Sequence, residues 1–385
     1  MKVIQVVKTN RGATWAFNQA KCLHDLGVDI ITILPDDTSG YAKLYKENGM
    51  RIIAGDWSLP ISRPWNIFRR SKMIRKVLNE EKPNLLHLHF VTNVLMTRIA
   101  LHKDLTPRLF QVPGPLHLEN PLFRYLDKAL STKKDYWAGA CEKTCAIYRN
   151  IGIDEKRVHL AYYGTFKEEF RTIESSNKLH NEYGIGKDSP IIAMVSYFYK
   201  PKRYLGQKRG LKGHEDFIDA LKKVLLKHPE VTPMIIGNAW DGSERYEREV
   251  IRYAKDNLGE KVIFTGYRND IQEIYPEISI AVHPSHSENL GGAAESLAYA
   301  VPTISSNVGG FPDIIKPYET GLLVNPKSPD ELADAINWMI EHPAEAKDMG
   351  DKGQKLVRSL LDVKETSSKI HEIYKKILYG EKRRR

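Results

Sequence analysis

Residues 283–296 have the sequence HPSHSENLGGAAES. An apolar run, residues 278–283, comes before this stretch, and small apolar residues at helical spacing follow it. We therefore predict a strand that ends at His283, a turn, and a helix that begins near Gly292. Adjacent glycines at the start of a helix expose free backbone N–H groups, and the helix dipole favours an anion there. The stretch therefore predicts a phosphate site.

Two acidic side chains stand on either side of the two glycines. Glu288 precedes them and Glu295 follows them, so both carboxylates are placed to accept hydrogen bonds from sugar hydroxyls. In the alternative interpretation the glutamates only cap the helix and the glycines only pack it. The sequence GGFPD at 309–313 favours the ligand site, because it places a second Gly-Gly turn at the end of the next predicted strand.

Short β-branched runs alternate with longer amphipathic stretches along the whole chain, which is typical of parallel strands joined by crossover helices. The predicted strands are residues 3–7, 29–34, 51–53, 85–90, 109–112, 136–140, 158–163, 191–196, 233–237, 262–266, 278–283, 303–306 and 321–324. We predict an α/β protein of two Rossmann-like, doubly wound parallel-sheet domains that face each other across a cleft. Ligands of such sheets bind at the carboxyl ends of the strands.

The domain boundaries follow from changes in this pattern. We predict an N-terminal domain at residues 1–170 and a C-terminal, ligand-binding domain at residues 189–360. The polar residues 171–188 show little periodicity and are predicted to be a linker. Residues 361–385 are predicted to form a helix that packs back on the N-terminal domain, followed by a basic tail.

The charge of the chain is basic and unevenly distributed. Its 385 residues include 58 Lys and Arg against 48 Asp and Glu, a net charge of +10, of which residues 1–190 carry +9. The segment Arg63–Leu78 has six basic residues, no acidic ones, and interleaved aromatic and aliphatic side chains. It resembles an amphipathic helix that rests on an anionic membrane surface. A solvated helix whose apolar stripe covers the core fits equally well, and no nucleic-acid recognition motif is present.

Several classes of site are excluded by missing motifs. The sequence has no Gly-x-Gly-x-x-Gly after its first strand and no P-loop, so dinucleotide and P-loop nucleotide sites are not expected. It has no Asp-x-Asp pair for a divalent cation, and its three cysteines suit neither a disulfide framework nor a zinc site. We expect no cofactor and no metal. With no signal peptide and no apolar stretch that could span a bilayer, we expect a cytoplasmic protein.

The segment 288–313 resembles the retaining, nucleotide-sugar-dependent enzymes of glycosyltransferase family 4, and the likeness extends over nearly the whole chain. The family's Glu-x7-Glu, Gly-x-Pro-Val-Ile and Gly-Gly-x-Pro-Glu pieces correspond to Glu288–Glu295, residues 301–304 (VPTI) and residues 309–313. Only six residues separate the two glutamates here, so the Ser-Glu-Asn-x-Gly-Gly-Ala form is identified as a branch with a shortened loop. The resemblance implies the GT-B fold.

The resemblance also implies roles for individual residues of the C-terminal domain. Glu295 would hold the ribose hydroxyls, Glu288 would contact the donor hexose, and Arg268 would lie beside the nucleobase. Lys212 matches the family's diphosphate-binding lysine, whereas the expected arginine is replaced by Tyr197. The backbone amides that would receive the hexose and the distal phosphate are those of Asn289, Leu290, Gly291 and Gly292. Two basic residues of the preceding loop could replace the missing arginine, and they are Arg203 and Arg209.

Two residues of the N-terminal domain complete the predicted site. Gly12 lies in the loop after the first strand and resembles the family's glycine that lets this loop approach donor and acceptor. His117 is the nearest substitute for the family's histidine at a strand end near the reacting carbon, and lying in the cleft and being a structural loop residue are equally compatible with the sequence. His87 and His89 share one face of a strand and are predicted to pack in the core.

These features together predict a retaining, metal-independent hexosyltransferase of cell-surface or exopolysaccharide biosynthesis. It would use a nucleoside-diphosphate sugar, with a UDP-sugar favoured, and a glycan or lipid-linked glycan as acceptor. Glu288, Lys212 and His117 are the predicted catalytic residues, and docking on the inner face of the cell membrane is a further expectation. The alternatives are a nucleotide-sugar epimerase of the same fold and a non-catalytic basic protein that binds membranes or nucleic acid.

Overall fold

The computed structural model describes residues 1–10, 12–38, 40–165, 175–201 and 206–380. The chain divides into two compact units, one made of Met1–Phe166 with Leu360–Arg385 and the other of Lys167–Ser359. Each unit is a parallel sheet covered by helices on both faces. The predicted fold class, two Rossmann-like α/β domains, is therefore confirmed.

The first unit contains a seven-stranded sheet. Its strands are β1 (Lys2–Val6), β2 (Asp29–Leu34), β3 (Arg51–Ala54), β4 (Leu85–His89), β5 (Arg108–Val112), β6 (Asp135–Gly139) and β7 (Val158–Leu160). Its helices are α1 (Thr14–Asp25), α2 (Ala42–Glu47), α3 (Asn66–Glu81), α4 (Val91–Ala100), α5 (Leu116–Glu119), α6 (Pro121–Ala129), α7 (Glu142–Asn150) and, from the C-terminus, α16 (Val363–Tyr379). The strand order is β3-β2-β1-β4-β5-β6-β7, so the winding direction reverses between β1 and β4.

The second unit contains a six-stranded sheet in the order β10-β9-β8-β11-β12-β13. Its strands are β8 (Ile191–Val195), β9 (Thr232–Ile236), β10 (Ile263–Gly266), β11 (Ile280–His283), β12 (Thr303–Ser306) and β13 (Leu322–Val324). Its helices are α8 (Lys178–Tyr183), α9 (His214–Lys227), α10 (Glu244–Leu258), α11 (Ile271–Ile274), α12 (Gly291–Ala298), α13 (Phe311–Ile314), α14 (Pro329–Glu341) and α15 (Pro343–Leu360). Its topological switch point lies between β8 and β11, where such sheets bind ligands.

Every predicted strand corresponds to an observed one, because buried parallel strands are almost continuous apolar runs. The segment predicted to be a linker, 171–188, differs from that prediction, since it contains helix α8. Leu179 of α8 is fully buried, and Glu277 accepts hydrogen bonds from the backbone N–H groups of Lys178 and Leu179. These contacts attach α8 to the second unit.

Helix α16 packs against α1 of the first unit, and the hydroxyl of Tyr374 lies 2.6 Å from Nδ1 of His87. His87 and His89 are both fully buried, as predicted, and burial lowers the pKa of His87 to about 3. Among the described residues, no helix has the length and apolar character required to traverse a bilayer.

Candidate functional site

A pocket of about 490 Å³ lies at the carboxyl edge of the second sheet, around its switch point. Loops that follow β8, β9, β10 and β11 surround it, together with the first turn of α12. The lining residues are Met194, Val195, Ser196, Tyr197, Tyr199, Lys212, Ile236, Gly237, Tyr267, Arg268, Asn269, Ile271, His283, Ser285, Glu288, Gly292, Glu295 and Phe311. Four of the predicted donor-site side chains therefore meet in one pocket, and they are Lys212, Arg268, Glu288 and Glu295.

The two glycine-rich turns support each other, as the sequence predicts for neighbouring strand ends. The N–H of Gly310 donates to the carbonyl of Asn289 at 2.9 Å. Gly309 has a φ of +53°, and a methyl group on it would overlap the carbonyl oxygen of Glu288. The second turn therefore fixes the backbone of the first at the point where Glu288 enters the pocket.

Replacing Gly309 with alanine is expected to destabilise the protein more than replacing Gly184, which is the control. Gly184 has left-handed backbone angles, with a φ of +64° and a ψ of +33°, and a methyl group on it would meet no atom within 4 Å, so its substitution costs only the left-handed backbone, about 1–2 kcal/mol. Gly309→Ala adds overlap with Glu288, about 1–3 kcal/mol more. The free energy of unfolding in urea measures both; equal losses would contradict the close support of the Glu288 loop.

The carboxylate of Glu288 turns back over the start of α12. Its Oε1 accepts a hydrogen bond from the N–H of Asn289 at 3.0 Å, and its Oε2 is ion-paired with Nζ of Lys212. Both side chains are largely buried. An anion thus already occupies the position between the lysine and the helix N-terminus, which is the place that the sequence predicts for a phosphate.

Lys212 is held in place by the turn that carries it. Gly213 has a φ of +77°, and a methyl group there would overlap the carbonyl oxygen of Pro284. The N–H of His286 donates to the carbonyl of Leu211 at 2.8 Å. The ring of Tyr199 lies under the ammonium group, with Nζ 5.6 Å from its centroid, a distance that suits a cation–π contact. These contacts aim the lysine into the pocket.

Glu295 lies one turn into α12, and its carboxylate is deeply placed. Its Oε2 accepts a hydrogen bond from Tyr275 Oη at 3.1 Å, and the Tyr275 ring stacks on Tyr299 with centroids 4.9 Å apart. Burial raises the pKa of Glu295, and the hydrogen bond from Tyr275 opposes this only in part. Among the described residues Tyr275 is the one donor to this partly buried carboxylate, which leaves acceptor capacity for a ligand hydroxyl.

His283 ends β11 and contributes a neutral imidazole to the pocket. Burial lowers its pKa to about 3, and the charge of Lys212 adds to this effect. Its Nε2 lies 2.7 Å from Ser296 Oγ, and its ring occupies the space beside Gly292, where any side chain would collide with it. The histidine therefore explains why the first turn of α12 carries a glycine at this position.

The remaining predicted cations differ in their placement. Arg268 lines the pocket, but its guanidinium is paired with Asp270 at 2.6 Å and Glu182 at 2.6 Å, which raise its pKa. Arg209 is bound by Asp216 at 2.5 Å and Asp219 at 2.7 Å and does not line the pocket. Because both carboxylates belong to α9, the two ion pairs of Arg209 attach its loop to that helix. This placement corrects the prediction that Arg209 could bind phosphate. Arg203 lies outside the described residues.

Other predicted site residues are the backbone amides of residues 289–292, at the start of α12, and Gly12 in the first unit. Asn289, Leu290 and Gly291 form the turn into α12, with the Leu290 side chain buried. Gly12 has a φ of +64° in the loop after β1. Gly291 and Gly292 are the first residues of α12.

His117 lies in the first unit within a local network. Its Nε2 is 3.2 Å from Tyr148 Oη and 3.5 Å from Asp127 Oδ2, and Asp127 is itself paired with Arg98. Only 12% of its side chain is exposed. These contacts hold the ring in position, and its catalytic role stays a prediction.

Several residues that line the pocket were not singled out as site residues from the sequence, and Tyr199 and Ser285 are two of them. Tyr199 supports Lys212, and Ser285 lines the floor after β11. The available signal was their position just beyond the ends of β8 and β11, where ligand-binding residues of such sheets collect.

Comparison with known proteins shows what this chain is similar to. The sequence model of the family described as "Glycosyl transferases group 1" matches residues 175–356. An uncharacterized glycosyltransferase, MJ1607, of Methanocaldococcus jannaschii is 25% identical over 337 residues, 81% of this chain and 80% of the relative. N-acetyl-alpha-D-glucosaminyl L-malate synthase of Bacillus anthracis is 21% identical over 329 residues, 83% of this chain and 81% of the relative.

A solved structure has the same fold as this chain. The crystal structure of Anabaena Alr3699/HepE in complex with UDP-glucose superposes with a TM-score of 0.79 at 18% identity, covering 97% of this chain and 99% of that one. The second unit is thus similar in sequence to the group 1 glycosyltransferases over residues 175–356, and the two parallel-sheet units have the GT-B fold.

Proposed function

We propose that this protein is a retaining hexosyltransferase that uses a UDP-sugar donor, needs no metal ion, and transfers to a hydroxyl of a glycan or lipid-linked glycan. The observation that carries the proposal is the gathering of Lys212, Glu288, Glu295 and the N-terminus of α12 around one pocket. Positive charge and free N–H groups suit a diphosphate, and the two carboxylates suit sugar hydroxyls. The UDP-glucose bound by the HepE neighbour supports the choice of donor.

In the proposed reaction the bond between the sugar C1 and the diphosphate oxygen breaks, and its electron pair stays on the diphosphate. A bond forms between C1 and the acceptor oxygen on the same face of the sugar, and the acceptor proton passes to the leaving diphosphate. Because negative charge grows on the leaving group, Lys212 and the first turn of α12 would stabilise the transition state more than the ground state. Glu288 would orient the hexose, and Glu295 the ribose.

The proposal is tested by supplying UDP-, GDP- and ADP-sugars with EDTA and following transfer and donor hydrolysis. We expect a UDP-sugar to be consumed in EDTA, with the product keeping the anomeric configuration of the donor by NMR. Strict dependence on added divalent metal would overturn the metal-free mechanism, and an inverted product would overturn retention. Conversion of the UDP-sugar into its epimer without acceptor would instead favour an epimerase.

Acceptor class is tested in the same assay. The relative named for L-malate points to a small hydroxy acid as a second candidate acceptor, so L-malate is compared with lipid-linked and free oligosaccharides. We expect the lipid-linked glycan to be used. Transfer to L-malate alone would overturn this part of the proposal while leaving the donor assignment intact.

Replacing Glu288 with glutamine is expected to raise affinity for free UDP and to lower the transfer rate. In the empty pocket the Glu288 carboxylate competes with a phosphate for Lys212 and for the helix N-terminus. Removing its charge ends this competition, which should tighten UDP about two- to fivefold, the value of a partly exposed ion pair. Calorimetry with UDP measures the first effect, and the transfer assay with a UDP-sugar measures the second. Weaker UDP binding by the variant would contradict the competition.

A further inference from the structure

Helix α3 of the first unit presents large apolar side chains to solvent. Phe68 is 84% exposed and Trp65, at the helix start, is 68% exposed, while Ile61 in the preceding turn is 63% exposed. Isolated exposed apolar residues are ordinary, but two aromatic rings and an isoleucine within eight residues are not. This segment, residues 61–76, is here called the α3 surface.

The exposed rings are not the face of α3 that covers the core. That face is formed by Ile74, Val77 and Leu78, which are buried in the first unit's core. Helix α3 therefore has two apolar sides, one packed on the sheet and one open. In the alternative that the sequence left open, the apolar stripe of α3 only covers the core. That alternative explains the packed side of the helix but not the exposed side.

Basic side chains surround the exposed rings. Arg63, Arg69, Lys72 and Arg75 are exposed, and no acidic residue occurs between Asp56 and Glu80. Arg70 and Lys76 are compensated, since they pair with Asp56 and Glu80. Among the described residues no carboxylate pairs with Arg63, Arg69 or Lys72, so the α3 surface carries net positive charge.

A groove of about 630 Å³ runs along the same helix. Phe68, Lys72 and Arg75 line it from α3, and Ile99 and His102 line it from the end of α4 and the turn after it. The lining thus combines apolar side chains with three cations, Lys72, Arg75 and Lys76, and with Glu80, which pairs with Lys76. A mixed apolar and cationic lining suits a lipid, in which acyl chains adjoin an anionic headgroup.

We propose that the α3 surface binds the anionic face of a lipid bilayer, with Trp65 and Phe68 at the headgroup boundary and Arg63, Arg69 and Lys72 on the phosphates. Charge alone would equally suit a nucleic acid, and bases could stack on the aromatic rings, but the exposed aliphatic Ile61 offers no stacking face, whereas a lipid interface takes up all three apolar side chains. Membrane binding of this kind is independent of the donor and the acceptor. In the cell it would place the enzyme on the inner face of the membrane.

The test is co-sedimentation of the full chain with phosphatidylcholine vesicles, with and without about 40% phosphatidylglycerol, at low and high salt. We expect binding only to the anionic vesicles, weakened by salt. The double variant Arg69→Gln/Lys72→Gln should bind about 25-fold more weakly, about fivefold for each cation removed. Trp65→Ser/Phe68→Ser should weaken binding about tenfold or more and leave the salt dependence in place.

Matched control variants lie in the second unit. Leu226 on α9 is 86% exposed, so Leu226→Ser removes an equally exposed apolar group, and Arg252→Gln removes an exposed cation of α10. Both should bind vesicles like the wild type, and all variants should keep the wild-type melting temperature and UDP affinity. Equal binding to neutral vesicles, equal loss in the control variants, or binding to RNA without binding to vesicles would each overturn the proposal.

Discussion

Replacing Lys212 with alanine should lower kcat for sugar transfer about 10²- to 10³-fold, the effect of removing one preorganised charge from a developing anion. The expected change is in kcat more than in KM, because the charge on the diphosphate is larger in the transition state than in the bound donor. Its ammonium group is aimed by Tyr199 and by the Gly213 turn, so no water would reproduce its position.

Two further variants make this prediction specific. Lys200 belongs to the same connection between β8 and α9, but its Nζ donates to the carbonyl of Gly242 at 2.9 Å and does not line the pocket. Lys200→Ala should therefore keep kcat. The double variant Lys212→Ala/Glu288→Gln separates the loss of the lysine from the exposure of an unpaired carboxylate. A kcat within about threefold of wild type for Lys212→Ala would contradict the leaving-group role.

Replacing Glu295 with alanine should weaken UDP binding about 10²-fold, because two hydrogen bonds from the ribose hydroxyls to a charged acceptor are lost. Calorimetry with UDP and with 2′,3′-dideoxy-UDP tests the assignment directly. The dideoxy ligand should bind weakly and equally to wild type and variant, since neither can make the contact. An unchanged UDP affinity in Glu295→Ala would show that the carboxylate does not hold the ribose.

The pH dependence of UDP binding follows from the same residue. Burial raises the pKa of Glu295, so its carboxyl is protonated at a higher pH than an exposed glutamate. Because the ribose needs the ionised acceptor, UDP affinity should fall as pH is lowered through this raised pKa, and Glu295→Gln should remove that part of the dependence. The pH dependence of stability in the unliganded protein has the opposite sign. Burial favours the protonated form of Glu295, so the stabilising contribution of this group is lost as pH rises through its raised pKa.

Much of the candidate site could be predicted from local sequence. The spacing of Glu288, Gly291, Gly292 and Glu295 specifies a turn into a helix, and Gly309 specifies the neighbouring turn. These are short-range patterns, so they can be identified without knowing what packs against them. The prediction for Arg209 failed for the complementary reason: Asp216 and Asp219 take up its guanidinium, and a count of nearby cations gives no information about their partners.

The sequence by itself determined the two parallel sheets and the helix N-terminus that suits an anion. The spacing of apolar residues and the adjacent glycines that indicate them are local properties of the chain. Only the tertiary structure decided that Lys212 meets Glu288, 76 positions away, and that the core leaves Phe68 uncovered. Such pairings depend on which loops the crossover connections bring to one sheet edge, and exposure depends on how wide a helical stripe the core accepts. Neither the partner of a loop residue nor the exposure of a side chain can be predicted from the few residues involved.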